Sequence, residues 1–230
     1  MRLALFDLDN TLLPIDSDYA WGAYTTEIGW TDAEEFGRRN EEFYVQYQAG
    51  GLDPHEYIMF CTEAMRHKGR RVAEQAREEF MRRVIEPALR QEALDLVRSH
   101  QQAGDLVAIV TATNDFITGP IAQRFGVSEL IATVLERDAD GEPTGGIAGL
   151  PAFREGKVRR VEQWLAARGL GWEDTHSSVF YSDSPNDLAL LERVSDPVAT
   201  NPSPHLRQLA LARGWRILDL FGPPRLASVG

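Results

Sequence analysis

The sequence predicts an α/β fold in which helices cover both faces of a mainly parallel sheet, with an all-helical domain inserted after the first strand. Short, continuous apolar runs occur at the start of the chain and again from residue 106 onward, as in strands that are buried on both faces. Helical patterns alternate with the later runs, as they do in parallel α/β sheets. The insertion is predicted because residues 15–85 have helical periodicity and almost no strand signal.

The apolar runs and the patterns between them give the elements of the core in order. The predicted strands are 3–6, 106–110, 179–181, 197–200 and 215–218. The predicted helices of the core are 91–103, 114–125, 157–168, 187–193 and 205–213. Residues 135–151 are rich in Gly and Pro and predict a hairpin. Strand and helix therefore alternate through the second half of the chain.

The insertion divides the chain into two domains. We predict an α/β core from residues 1–14 and 87–230 and a helical cap domain from residues 15–86. Pro54 begins one cap helix, because proline suits the first helical turn. The last cap helix is predicted to end at Pro87. Its apolar residues are spaced four apart, which places them on one face. They are Val72, Ala76, Phe80 and Val84.

Composition and charge exclude several kinds of partner. The formal net charge of -11 predicts neither a nucleic-acid partner nor an anionic membrane surface, since both attract basic proteins. No apolar run approaches the ~20 residues that a membrane-spanning helix needs. Cys61 is the only cysteine, so no intrachain disulfide can form, and we expect a cytoplasmic protein. The acidic surface does not decide the oligomeric state.

Two acidic residues directly follow the first predicted strand, in the run Asp7-Leu8-Asp9-Asn10-Thr11. Residues two apart in an extended chain point to the same side, so the two carboxylates lie together. They lie at the carboxyl end of a parallel strand, where α/β proteins bind ligands. Because neighbouring carboxylates repel each other, the pair requires a cation or a shared proton.

Further polar residues follow the second and third predicted strands. Thr111 and Ala112 come after the second strand, where a hydroxyl ahead of a helix N-terminus can bind phosphate. Asp183 and Asp187 flank a tight turn after the third strand, and two carboxylates there suit a hard cation with oxygen ligands. Lys157 lies near the start of an amphipathic helix. Since these positions meet at one edge of the sheet, one pocket can collect them.

In this order the motifs resemble those of the haloacid dehalogenase superfamily. The residues that carry the resemblance are Asp7-x-Asp9-x-Thr11, Thr111, Lys157 and Ser182-Asp183-Ser184-Pro185-Asn186-Asp187. The helical insertion after the first motif looks like the cap of the phosphoserine-phosphatase-like branch. The resemblance implies a Rossmann-like core, a helical cap, and a phosphatase that acts on a small phosphorylated metabolite with Mg²⁺ as cofactor. Dehalogenases of the superfamily lack an acid at the position of Asp9, which favours phosphoryl chemistry here.

The resemblance also implies a role for each motif. Asp7 would attack phosphorus and form a phospho-aspartate, and Asp9 would protonate the leaving oxygen and then activate water. Thr111 and Lys157 would hold the transferring oxygens. The implied metal ligands are Asp7, Asp9 through its backbone carbonyl, Asp183 and, in support, Asp187. The implied substrate-binding residues are Thr11, Asp16, Thr111, Ala112 and Lys157.

The cap carries a hypothesis about the substrate. In the phosphoserine-phosphatase pattern an acidic residue near this point meets the substrate amine, so Asp16 or Asp18 is expected to bind a cationic group. The alternative is that both residues only begin a helix. Phosphoserine, histidinol phosphate and related amino-alcohol phosphates are the candidate substrates. The aromatic residues of the cap are expected to pack within it. They are Tyr19, Trp21, Phe43, Tyr44, Tyr47 and Phe60.

Three other functions stay open at this point. A phosphotransferase or mutase would use the same phospho-aspartate and would be activated by an alcohol acceptor. A signalling receiver domain also places an acidic cluster, a Thr and a Lys around a phospho-accepting Asp, but it has no helical insertion after its first strand. A non-catalytic binding protein is the third, because a fold alone does not give a function.

Overall fold

The computed structural model describes residues 1–222, apart from the side chain of Gln48. Residues 223–230 of the predicted core lie outside the described residues. Within residues 1–222, no helix is long and apolar enough to cross a membrane.

Eight strands occur in the described chain, and six of them form one parallel sheet. The eight are β1 (Arg2–Phe6), β2 (Leu106–Asn114), β3 (Leu130–Thr133), β4 (Leu135–Arg137), β5 (Pro143–Ile147), β6 (Ser177–Ser182), β7 (Asp196–Thr200) and β8 (Arg216–Leu218). The sheet has the order β3-β2-β1-β6-β7-β8. All of its neighbouring strands are parallel. The strand β1 therefore lies between β2 and β6, and the three strand ends that carry polar motifs are adjacent.

The sheet confirms the predicted fold class and adds one strand to it. The five predicted strands correspond to β1, β2, β6, β7 and β8. The predicted hairpin is the antiparallel pair β4 and β5. The edge strand β3 was not predicted, because it is only 4 residues long and ends just before the hairpin begins.

The segment between β1 and β2 is entirely helical. Its elements are α1 (Ser17–Glu27), α2 (Ala33–Ala49), α3 (Pro54–Cys61), α4 (Glu63–Lys68), α5 (Arg70–Phe80), a π-helical turn (Met81–Ile85) and α6 (Glu86–Ala88). The prediction that the last helix ends at Pro87 agrees with the structure to within one residue, because the helical segment ends at Ala88. Pro87 lies in the first turn of α6, where its missing N–H costs little. The exact domain boundaries stay predictions.

Five helices connect the later strands. They are α7 (Gln91–Gln102), α8 (Asp115–Arg124), α9 (Glu155–Ala166), α10 (Leu188–Leu191) and α11 (Pro204–Arg213). The predicted helix 187–193 is shorter than expected, because the turn Pro185–Asp187 before it is a 3₁₀-helix. Asn114 caps α8, accepting a hydrogen bond from the amide of Ile117. The polar turns before α8, α9 and α10 therefore lie near the carboxyl ends of the strands.

Apolar side chains form one cluster on each face of the sheet. One of the clusters continues from the sheet into the helical insertion. There the ring of Trp21 packs edge-on against Phe80 of the cap, with a centroid distance of 5.3 Å, and against Phe116 of α8, at 5.9 Å. This continuous packing fixes the start of α1 close to the carboxyl end of β1.

Candidate active site

The four predicted motifs converge at the carboxyl edge of the sheet. Nζ of Lys157 donates hydrogen bonds of 2.8 Å to Oδ1 of Asp7 and 2.8 Å to Oδ2 of Asp187. Lys157 is 2% exposed, although a lone lysine near a helix start is usually a surface residue. Ser182 donates a further bond of 2.7 Å to Oδ2 of Asp187. Lys157 and Ser182 therefore fix two of the four acidic residues.

The charges around Lys157 hold it in the protonated state. Burial by itself lowers the pKa of this ammonium group, but attraction to Asp187 and Asp7 outweighs burial and raises the pKa above its ordinary value. For Asp7 the balance is different, because burial raises the pKa more than Lys157 lowers it. The single positive charge of Lys157 therefore does not balance the negative charges of the acidic residues around it.

Thr11 lies between Asp7 and the second strand-end carboxylate. Its hydroxyl is 3.2 Å from Oδ2 of Asp7 and 3.3 Å from Oδ1 of Asp183, and it can donate its single proton to only one of them. Burial, followed by repulsion from Asp7 and Asp187, raises the pKa of Asp183 well above its ordinary value. The carboxylates of Asp7 and Asp183, on either side of Thr11, thus form an oxygen-rich, negatively charged site that requires a cation.

The chemistry of these donors fits Mg²⁺. Mg²⁺ is usually bound in proteins by one or two carboxylates together with water and substrate phosphate. Within residues 1–222, no group of three or more Asp, Glu, His or Cys side chains is arranged as a complete metal site. Two side chains, Asp7 and Asp183, can contribute oxygens, and Oδ2 of Asp187 already accepts hydrogen bonds from Lys157 and Ser182. Asp187 is therefore better placed to support the site than to ligate.

Asp9 is oriented from both domains at once. Its Oδ2 accepts a hydrogen bond of 2.7 Å from Thr113 at the end of β2, and its Oδ1 accepts one of 2.7 Å from the amide of Ser17 at the start of α1. Burial, and then repulsion from Asp16, raises the pKa of Asp9 to about 6. A carboxyl group with this pKa can both donate and accept a proton near neutral pH.

A cavity opens from Asp7 and Asp9 toward the cap. Thr111 and Ala112 line it on the core side, and Thr111 is buried. Six aromatic residues contribute to the rest of the lining. They are Tyr19, Phe43, Tyr44, Tyr47, Tyr57 and Phe153. Within residues 1–222, no Lys, Arg or His belongs to the lining.

The aromatic lining corrects part of the sequence-based interpretation. Trp21 and Phe60 pack inside the protein as expected. The expectation that Tyr19, Phe43, Tyr44 and Tyr47 only pack within the cap is wrong, because all four face the cavity. Spacing along a helix does not distinguish a ring that faces a core from one that faces a cavity.

Asp16 and Asp18 both lie at the cavity. Oδ1 of Asp16 caps α1 by accepting from the amides of Asp18 and Tyr19, at 3.1 and 2.9 Å. Oδ2 of Asp16 accepts no hydrogen bond from any residue in 1–222. Asp18 is buried and accepts a hydrogen bond of 3.3 Å from Asn114. Burial, then repulsion from Asp16 and Asp9, raises the pKa of Asp18 to about 8.

Several contributors to the site were not predicted. Thr113 and Ser17 orient Asp9, Ser182 orients Asp187, and Asn114 contacts Asp18. The signal for Thr113 was present, because it lies two residues after Thr111 in an extended strand and so points to the same side.

Comparisons with known proteins agree with this geometry. The profile of haloacid dehalogenase-like hydrolases matches residues 4–192. A histidinol-phosphatase from Neisseria meningitidis serogroup C is 42% identical over 218 residues, which cover 95% of this chain and 98% of that protein. A solved protein of unknown function from Bordetella pertussis Tohama I is 52% identical, with a TM-score of 0.90 over 96% of this chain and 99% of that one.

A more distant solved structure shares the fold. A substrate-bound phosphoserine phosphatase is 18% identical, with a TM-score of 0.64 over 94% of this chain and 92% of that one. The predicted resemblance is thus confirmed by the profile match and by full-length relatives. The chain belongs to the haloacid dehalogenase-like hydrolase family.

Proposed function

We propose that this chain is a Mg²⁺-dependent phosphatase that hydrolyses histidinol phosphate, or a closely related amino-alcohol phosphate, through a phospho-aspartate on Asp7. The observation that carries the proposal is the cavity over Asp7 and Asp9, which combines two further acidic side chains, Asp16 and Asp18, with aromatic rings and has no basic residue in its described lining. The name and full-length similarity of the Neisseria relative support the same substrate.

The first chemical step uses Asp7 and Asp9. A carboxylate oxygen of Asp7 attacks phosphorus, so that an oxygen–phosphorus bond forms while the bond from phosphorus to the substrate oxygen breaks. Asp9, whose pKa is raised to about 6, donates its proton to the leaving alkoxide. Thr113 and Ser17 hold the Asp9 carboxyl group in place for this transfer.

The second step returns the enzyme to its starting state. Asp9, now a carboxylate, accepts a proton from water as the water oxygen attacks phosphorus and the bond to Asp7 breaks. Lys157 stays bonded at Oδ1 of Asp7 and offsets negative charge on the transferring group. Thr111 and the amide region of Ala112 face the same point from the end of β2 and are proposed to bind phosphoryl oxygens.

Mg²⁺ is proposed to be held by Asp7 and Asp183, with the Asp9 carbonyl as a further oxygen and Asp187 in support. When bound, Mg²⁺ reduces the repulsion between an anionic nucleophile and an anionic phosphate.

The cavity favours a substrate with cationic groups and without a carboxylate. The ammonium group of histidinol phosphate can approach the free Oδ2 of Asp16, and its imidazole ring can pack against the aromatic rings of the cap. Phosphoserine carries a carboxylate in addition to its amine. That carboxylate would face Asp16 and Asp18 with no basic partner among the described lining residues, since Lys157 already binds two carboxylates.

A comparison of phosphate release from histidinol phosphate, phosphoserine and phosphoethanolamine tests the proposal. We expect Mg²⁺-dependent turnover, and a kcat/KM for histidinol phosphate that is about 100-fold higher than that for phosphoserine, because an unpaired charge is costly in a buried site. Asp7→Asn should abolish turnover. Comparable kcat/KM values for the two substrates would contradict the substrate assignment, and undiminished turnover by Asp7→Asn would contradict the mechanism.

A matched pair of variants tests the amine subsite. Asp16→Asn keeps the oxygen that caps α1 and removes the charge, whereas Asp32→Asn makes the same change at the cap of α2, which accepts from the amides of Glu34 and Glu35. We expect only Asp16→Asn to raise KM for histidinol phosphate, by about tenfold or more. An equal effect of the two variants would show that Asp16 acts only as a helix cap.

A further inference from the structure

The C-terminal end of α2 rests on two segments of the core. The side-chain Nδ2 of Asn186 donates a hydrogen bond of 2.8 Å to the backbone carbonyl of Tyr47. Gly50 ends α2 in a left-handed conformation, and a Cβ atom at this position would be 2.6 Å from a guanidinium nitrogen of Arg154. We call Tyr47, Gly50, Arg154 and Asn186 the α2 clamp. The ring of Tyr47 also lies 6.0 Å from that of Phe153, and both rings line the cavity.

The two core residues of the clamp, Arg154 and Asn186, lie close in sequence to the two partners of the buried ion pair, Lys157 and Asp187. The carbonyl of Arg154 accepts a hydrogen bond of 3.0 Å from the amide of Lys157 and so belongs to the first turn of α9. Asn186 immediately precedes Asp187 in the 3₁₀ turn. Because Lys157 and Asp187 are bonded to each other, the end of α2 contacts the neighbours of both partners at once.

The backbone of Arg154 is in a rare conformation. Its φ of 52° and ψ of -124° are unusual for a residue with a side chain and cost free energy. Its guanidinium group lies at the C-terminal end of α2, where the carbonyl groups of a helix attract a cation. Such a conformation is typical of residues with a functional constraint, and the contact with α2 gives Arg154 one.

We propose that Arg154 and Asn186 are positioning residues that hold the cap closed over the cavity, and that release of the α2 clamp sets the rate at which product leaves. With the clamp made, Tyr47 of the cap and Phe153 of the core close the cavity beside Asp7. With the clamp released, the rings of Tyr47 and Phe153 separate. The turns that precede Lys157 and Asp187 then lose their contact with α2. The kinetic half of this proposal rests on the proposed phosphatase function, whereas the clamp does not depend on the substrate.

Variants of Arg154 and Asn186 separate the clamp from backbone strain. Arg154→Gly removes the guanidinium group and tolerates the left-handed backbone, and Asn186→Ala removes the hydrogen bond to Tyr47. Arg159→Ala, an exposed arginine on the same helix α9, is the matched control. Hydrogen exchange of the amides of residues 46–51, measured without substrate, reports opening of the end of α2 whether or not the enzyme turns over.

We expect both clamp variants to accelerate exchange in residues 46–51 by about tenfold, while Arg159→Ala leaves it unchanged. With histidinol phosphate as substrate, we expect KM to rise about fivefold and kcat to rise, because lid opening no longer limits release. Unchanged exchange would overturn the clamp. Faster exchange with an unaltered or reduced kcat would overturn its role in product release.

A double-variant cycle tests the contact between Gly50 and Arg154 directly. Gly50→Ala places a methyl group against the guanidinium group, so it should accelerate exchange strongly in the wild-type background. In the Arg154→Gly background that collision is gone, and the cost of the left-handed backbone and a contact of 3.3 Å with Oδ1 of Asn186 remain. We expect the two effects on exchange to be non-additive. Strict additivity would show that the two residues do not interact and would overturn this part of the clamp.

Discussion

The hydroxyl group of Thr113 donates a hydrogen bond of 2.7 Å to Oδ2 of Asp9. This bond connects the end of β2 to the residue that is proposed to move protons. The other oxygen of Asp9 is bound by the amide of Ser17 in the cap, so the proton-transfer group is fully oriented only when the start of α1 is in place. The contact with Thr113 is the part of this arrangement that the core supplies alone.

Thr113→Val should lower kcat and move the pH profile. The hydrogen bond from Thr113 favours the ionised form of Asp9 and lowers its pKa, so its loss should raise the pKa of Asp9 above the present value of about 6. The step that needs protonated Asp9 should then persist to higher pH. We expect kcat to fall about tenfold at neutral pH, since general acid catalysis depends on a positioned group.

The control for this variant is Thr25→Val. Thr25 is also buried, but its hydroxyl donates to the carbonyl of Gly22 within α1. It should leave the pH profile of kcat unchanged. A descending limb that shifts to lower pH in Thr113→Val would contradict the assigned role of the bond.

Lys157→Met should strongly destabilise the protein. The variant leaves Asp7 and Asp187 buried without their cation, a change that typically costs about 3–5 kcal/mol of the free energy of unfolding. Adding Asp187→Asn should restore part of this stability at pH 7, because one unpaired charge is removed, while activity stays absent. Urea unfolding measures both effects. Arg159→Met on the exposed face of α9 is the control, and an equal loss in that variant would contradict the prediction.

Mg²⁺ should raise the melting temperature of the wild type but not of Asp183→Asn. At about 100 times its dissociation constant, a ligand stabilises the folded state by about 2.7 kcal/mol. Without metal, Asp183→Asn should be more stable than the wild type at pH 7. The raised pKa of Asp183 means that its ionisation destabilises the folded state as pH rises above the unfolded value.

Asp140→Asn serves as the comparison for Asp183→Asn, because it removes the same charge from the exposed hairpin turn. It should retain the full Mg²⁺-dependent shift in melting temperature. A shift of equal size in Asp183→Asn would exclude Asp183 as a metal ligand.

The fold and the meeting of the four motifs are predictable from the sequence, because each depends on local patterns. Asp7 and Asp183 follow apolar runs, and their meeting needs only that β1 and β6 be parallel neighbours. The cavity wall is harder to predict, since Tyr47 and Phe153 are 106 positions apart and meet only in the folded chain. The support that Asn186 gives to α2 also depends on a backbone carbonyl, which leaves no trace in the side-chain pattern.

Asp18→Asn should stabilise the metal-free protein more as the pH rises. Asp18 is 5% exposed, and burial, followed by repulsion from Asp16 and Asp9, raises its pKa to about 8. In the unfolded chain an aspartate titrates near ~3.9, so between these values the folded state binds one proton more than the unfolded state. The wild type therefore loses stability as pH rises through this window, by at most about 1.4 kcal/mol per pH unit. The Asn side chain does not titrate and avoids this loss.

The difference in the free energy of unfolding between Asp18→Asn and the wild type should grow from pH 5 to pH 8 and level off above pH 8, where Asp18 is ionised in both states. Urea unfolding in EDTA at several pH values measures it. Asp53→Asn, which makes the same change at the exposed cap of α3, is the control variant. If the difference for Asp18→Asn stayed constant over this pH range, Asp18 would already be ionised in the folded protein. A buried cation would then have to accompany it.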